Sequence, residues 1–221
     1  MFWIDIIYYT TVASSLLPLL ALALVPKPLD QLKRKVRIGL LVYIIYCVLH
    51  HLTQILSCQL ISDAEPASHI SIFIEFFILL YFFHAIHPIK RVQLFMFLGC
   101  LPFLMDLFWT SSFTQNSVFS AIVYFSANAV LSFELIMKLK PEGKETFFVK
   151  TLFIYFVVCT IYAFGSNLSL TISEVFELVF PLFALVNFAF SIALTWGVLQ
   201  ASSHAKYALT IPNFSASPKK R

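Results

Sequence analysis

The chain has 221 residues, 60% of them hydrophobic and 12% charged, with a formal net charge of +4 and a mean hydropathy of +0.87. A soluble domain carries about 25% charged residues, so this composition excludes an ordinary water-facing surface and makes lipid the expected solvent. With 25 Phe and only 5 Gly, it suits lipid-facing helices better than Gly-rich phosphate loops, and no nucleic-acid partner is expected.

A membrane-crossing helix needs about 20 mostly apolar residues. Such runs occur near 3–25, 38–59, 69–87, 92–110, 118–138, 147–166 and 174–200. The predicted fold class is therefore all-α: a polytopic membrane bundle of seven transmembrane helices in one domain, 1–200, followed by a short cytoplasmic tail, 201–221. Short connections make consecutive helices antiparallel neighbours. The first run is not expected to be a cleaved signal, because such a signal begins with a basic segment and no Lys or Arg precedes Lys27.

Charge orients the bundle. The 15 Lys and Arg fall after the first run (Lys27, Lys33, Arg34, Lys35, Arg37), after the third (Lys90, Arg91), around the fifth connection (Lys138, Lys140, Lys144, Lys150) and in the tail (Lys206, Lys219, Lys220, Arg221). The other connections, near 60–68, 111–117 and 166–173, hold none. Lys and Arg in short loops mark the cytoplasmic side, which places the N-terminus outside and the C-terminus in the cytoplasm. The expected location is a bacterial plasma membrane, with the lipid bilayer as first partner.

Polar residues inside apolar helices are costly and normally face the bundle interior or water, so they carry the functional information. The second run holds Cys47, His50, Gln54 and Ser57 on one stripe, with His51 beside it. The third opens with His69, and Glu75 follows about two turns in, roughly 9 Å from the outer end. A carboxyl at that depth is protonated or paired, for example with a His or Gln of the second helix. Ser71 shares its face. Asp106 ends the fourth run. Asn128 and Ser132 share a face of the fifth, and Asn187 and Ser191 share a face of the seventh. His84 and His87 at the inner end of the third run read as an interfacial cap, since two His are too few for a metal site. The four cysteines, Cys47, Cys58, Cys100 and Cys159, sit in apolar runs and read as small buried hydrophobes.

Several classes are disfavoured. The last run lacks the Lys a retinal Schiff base requires, and no HExxH, GxSxG or GxGxxG occurs. Seven helices with an outside N-terminus also suit a three-plus-one-plus-three transporter, yet the first three and last three runs show no convincing repeat.

The stretch His69-Ile70-Ser71-Ile72-Phe73-Ile74-Glu75-Phe76 resembles the H-I-x-x-x-x-E-F signature of a group of small seven-helix membrane proteins of Bacteroidota. Pro18 in the first helix, the basic first inner loop, Tyr162 to Asn167 in the sixth helix, and Asn187 with Ser191 in the seventh are similar to features of the same group. Phe183 stands where that group often has a His. The resemblance implies a seven-helix fold and a sensory or signalling role, and supplies no enzymatic activity.

The leading expectation is a non-enzymatic, receptor-like membrane sensor. Its ligand or proton site is drawn from His50, Gln54, His69, Glu75, Asp106, Asn128 and Asn187. It has no cofactor and passes its output to a cytoplasmic or membrane signalling partner. The alternatives are a small transporter or channel for a cation or neutral solute, and an intramembrane metal-dependent hydrolase.

Overall fold

The structure, a computed structural model, describes the chain except residues 1, 26, 28, 61–64, 91, 106–107, 109–117, 142, 170–172 and 203–221. Within the helices it leaves out the side chains at 2–5, 7–8, 54–60, 65–69, 118, 166–169 and 173–180. Among the described residues there are seven α-helices: α1 (Phe2–Leu24), α2 (Arg34–Leu60), α3 (Glu65–Ile86), α4 (Val92–Met105), α5 (Val118–Lys138), α6 (Lys144–Ser169) and α7 (Ser173–Gln200).

Each helix lies close to one of the seven apolar runs. Three begin three or four residues earlier than the runs do, α2 at Arg34, α3 at Glu65 and α6 at Lys144. In α2 and α6 hydropathy undercounts these turns because Lys and Arg are good helix formers whose stems lie along apolar surface. The end of the fourth run and the tail from 203 onward lie outside the described residues.

Four helices contain stretches long and apolar enough to cross a membrane: Arg34–Thr53, Phe119–Lys138, Lys144–Gly165 and Pro181–Gln200. At 1.5 Å per residue, 20 residues span about 30 Å, the thickness of the hydrocarbon layer. Among the described residues, the apolar stretches of the other three are shorter. The outer faces are apolar too, with Ile154, Ile161 and Phe164 on α6 and Leu182 and Leu185 on α7 all exposed. Water disfavours so continuous an apolar exterior, and hydrocarbon does not. Pro18, Pro102 and Pro181 lie inside helices, where neighbouring helices can satisfy the freed backbone groups.

Six helices close into a ring. α1 packs on α2, α2 on α3, α3 on α5, α5 on α6, α6 on α7, and α7 returns to α1. α4 lies outside this ring against α3 and α5. Contacts run antiparallel between α2 and α3 (Tyr43 to Glu75, Tyr46 to Ser71) and between α6 and α7 (Tyr155 to Asn187, Tyr162 to Phe183). The ring is filled by large side chains, among them Tyr43, Tyr124, Phe82, Phe83, Phe148 and Phe156, all essentially inaccessible.

The end of the ring that carries the Lys and Arg is closed by the α1–α2 connection. Leu29 is fully buried there at a positive φ of 58°, a conformation unfavourable for a bulky L-residue. Burying the side chain in the core offsets that strain. Lys144 at the start of α6 ties the connection down, donating to Gln31 and to the Gln200 carbonyl at the end of α7.

Candidate functional site

The site grows from the α2–α3 pair. Tyr43, Tyr46, Cys47 and His50 follow each other at spacings of three and four, so they line one stripe of α2. The two helices are antiparallel, which brings Tyr43 opposite Glu75 and Tyr46 opposite Ser71. The Tyr43 hydroxyl donates to Glu75 Oε1 at 3.1 Å. The Tyr46 hydroxyl donates to the Ser71 carbonyl at 2.6 Å. Aromatic contacts continue along the stripe, with Tyr43 to Tyr46 at 6.3 Å, Tyr46 to His50 at 5.9 Å and His50 to His51 at 5.4 Å between ring centres.

A second polar group faces the first from α6 and α7. The Tyr155 hydroxyl donates to Asn187 Oδ1 at 3.0 Å. Asn187 Nδ2 donates to the Phe183 carbonyl at 3.0 Å, so both ends of its amide are engaged. Phe190 joins the two groups. It stacks on Tyr155 at 4.0 Å and meets Tyr43 edge-on at 6.5 Å. The Glu75 carboxyl is thus tied to α2 through Tyr43, a buried side chain whose ring also meets Phe190 of α7. It has no ion-pair partner among the described residues, where the ion pair found is Lys138 with Glu134 on the outside of α5. Glu75, Tyr46 and Tyr155 are each partly accessible.

On the far side of α3, Phe76 is held between Gly99 of α4 and Tyr124 of α5. The Tyr124 hydroxyl donates to the Gly99 carbonyl at 2.6 Å, and its ring stacks on Phe76 at 5.0 Å. Asn128 stands one turn beyond Tyr124. Asn128 Oδ1 and Ser132 Oγ are buried without a hydrogen-bond partner.

Of the seven residues expected at the site, the structure brings His50, Glu75 and Asn187 into this connected group. Asn128 is buried on α5. The side chains of Gln54 and His69, and the whole of Asp106, lie outside the described residues. On α2, Glu75 accepts from Tyr43; Gln54, one of the partners expected for it, has its side chain outside the described residues. Sequence reading missed Tyr43, Tyr46 and Tyr155 because Tyr in an apolar run reads as core or interface aromatic. A signal was available: Tyr43 with Cys47 and Tyr155 with Cys159 share one spacing. His84 Nδ1 accepts from the Ile89 amide at 3.0 Å and so caps the end of α3. No group of three His, Cys, Asp or Glu among the described residues is placed to hold a metal ion.

Comparison with known proteins finds no family model, no curated protein and no solved structure that matches this chain. Function must therefore be argued from the site itself.

Proposed function

We propose that the chain is a non-enzymatic, receptor-like protein of a bacterial plasma membrane that binds a proton or a small polar ligand at Glu75. In this reading all seven helices cross the bilayer, with the N-terminus outside and the C-terminus in the cytoplasm. The observation that carries the proposal is the Glu75 carboxyl, set inside an apolar ring, bonded to the Tyr43 hydroxyl and lacking a basic partner among the described residues. A group of this kind in a membrane interior is a functional candidate by default.

The partition of all 15 Lys and Arg onto alternate connections and the tail supports the orientation. The α1–α2 connection lies across the end of the ring that carries those charges, and in this reading a ligand enters from the other, outer end. The inner connections are short, and output passes to a membrane or cytoplasmic partner. The third-helix motif supports placing the chain beside the small seven-helix proteins of Bacteroidota.

The test is infrared difference spectroscopy of the reconstituted protein after a pH jump. The wild type shows a carboxyl signal that Glu75→Gln loses. Identical spectra from the two proteins would sink the proposal.

A further inference from the structure

Two hydrogen bonds inside the ring repeat one another. Tyr43 donates to Glu75 across α2 and α3, Tyr155 donates to Asn187 across α6 and α7, and each pair is separated by 32 residues. One turn beyond each tyrosine stands a cysteine, Cys47 or Cys159. From Tyr43 to Tyr155, from Cys47 to Cys159 and from Glu75 to Asn187 the displacement is the same, 112 positions.

That single offset carries helix onto helix without a gap. Shifted by it, α1, α2 and α3 fall on α5, α6 and α7 to within about four residues at every end. Burial follows the same register. Val36, Leu40 and Ile44 are buried, as are Phe148, Leu152 and Phe156, while Val42 and Leu49 are exposed, as are Ile154 and Ile161. Packing follows it too. The contact of α1 with α7 becomes that of α5 with α3, and the α2–α3 pair becomes the α6–α7 pair. A ring ordered α1, α2, α3, α5, α6, α7 is unchanged in kind by a half-turn. Tyr43 and Tyr155, one from each set of three helices, both meet the Phe190 ring, at 6.5 and 4.0 Å between ring centres.

We infer that α1–α3 and α5–α7 are two copies of one three-helix unit, and that the site between them carries a small organic cation across the membrane as the halves rock about it. Parallel repeats related by an axis along the membrane normal, with the substrate site at their interface, are an architecture of secondary transporters. The ligand class follows from what the two copies place at the axis. Glu75 supplies a carboxyl with no basic partner among the described residues. Tyr43, Tyr155 and Phe190 supply aromatic rings, which attract ammonium groups by their faces. The equivalent Asn187 is already engaged through both ends of its amide, so recognition of charge falls to the Glu75 half. This inference rests on the Glu75 site proposed above, reads it as the site of a carrier instead of a receptor, and adds movement, symmetry and ligand chemistry to it.

The full chain in liposomes tests it, with radiolabelled choline, ethanolamine and putrescine as probes for uptake, and binding measured in parallel on protein in detergent. Two variants accompany the wild type: Glu75→Gln, and the exchange Glu75→Asn with Asn187→Glu. Circular dichroism and size-exclusion profiles verify that each is folded. Saturable uptake of at least one probe is expected, falling roughly ten-fold or more in Glu75→Gln. The exchange variant recovers most of it, because Tyr155 stands to position 187 as Tyr43 stands to position 75.

Binding without uptake overturns transport and leaves a ligand site standing. Absence of binding by all three probes overturns the cation assignment, while the infrared signal of Glu75 decides the underlying site independently. Uptake unchanged in Glu75→Gln overturns the placement of the site. A folded but inactive exchange variant overturns the equivalence of the halves.

Discussion

Glu75 and its tyrosine are the most informative contact in the molecule. Interhelical hydrogen bonds in membrane proteins average about 0.6 kcal/mol and reach about 1.7. Tyr43→Phe is therefore expected to lower stability by about 0.5–2 kcal/mol, read as a lower thermal unfolding midpoint in detergent. Glu75→Gln keeps an acceptor for Tyr43 and is expected to cost less than Tyr43→Phe. The opposite sign is expected on α5. Ser132 Oγ is buried with no partner, and removing an unsatisfied polar atom is neutral or favourable. Ser132→Ala should hold or raise the unfolding midpoint, and a clear loss would show that the hydroxyl has a bonding role. Glu75 itself was legible in the sequence, because a carboxyl two turns into an apolar run stands out by cost alone. Tyr43 was not. A tyrosine is inexpensive in such a run whether or not its hydroxyl is used, so only the antiparallel packing of α2 on α3 reveals the bond.

Helix packing can be probed at the glycines. A Cβ at Gly197 on α7 would meet ring atoms of Phe148 at 2.6 Å and of Phe147 at 2.9 Å on α6. Gly99 on α4 likewise faces the Phe76 ring. At Gly165 a Cβ meets nothing within 4 Å among the described residues. Overpacking costs about 1–3 kcal/mol, whereas Ala in an open helical position gains up to about 1 kcal/mol over Gly. Gly197→Ala and Gly99→Ala should thus lower the unfolding midpoint and Gly165→Ala should not. The existence of each helix was readable from length and hydropathy. The close approaches at Gly99 and Gly197 were not, since an isolated Gly in an apolar run carries no statement about its neighbour. Phe183 shows the same limit. It stands where the resembling group often has His, and it stacks on Tyr162 at 3.9 Å, a contact that sequence spacing does not announce.

The proposed orientation makes a prediction for the molecule as a whole. A green fluorescent reporter fused after Arg221 should fluoresce in the cytoplasm, and alkaline phosphatase fused there should be inactive; the reverse pattern would overturn the orientation. The relation between the halves was hidden in the sequence for a physical reason. A lipid-facing position asks only for an apolar side chain, so two copies of a unit can diverge at nearly every such site and still pack alike. Val42 and Ile154, or Leu49 and Ile161, do the same job with different residues. What survives is the polar geometry near the axis, Tyr43 with Cys47 and Tyr155 with Cys159, too sparse to register as a repeat until the hydrogen bonds pair it with α3 and α7.

α4 acquires a role from its place outside the ring. A unit of three helices ends on the side opposite to where it began. A copy joined directly to it would enter upside down, and α5 would oppose α3 instead of running beside it. One additional crossing restores parity. In the proposed topology α4 is that crossing: it needs to reach from one side to the other and to lean on α3 and α5, and it need not contribute to the enclosed site. Its sequence should accordingly tolerate wholesale apolar replacement away from Gly99, while its removal as a single element should turn the second half of the molecule over.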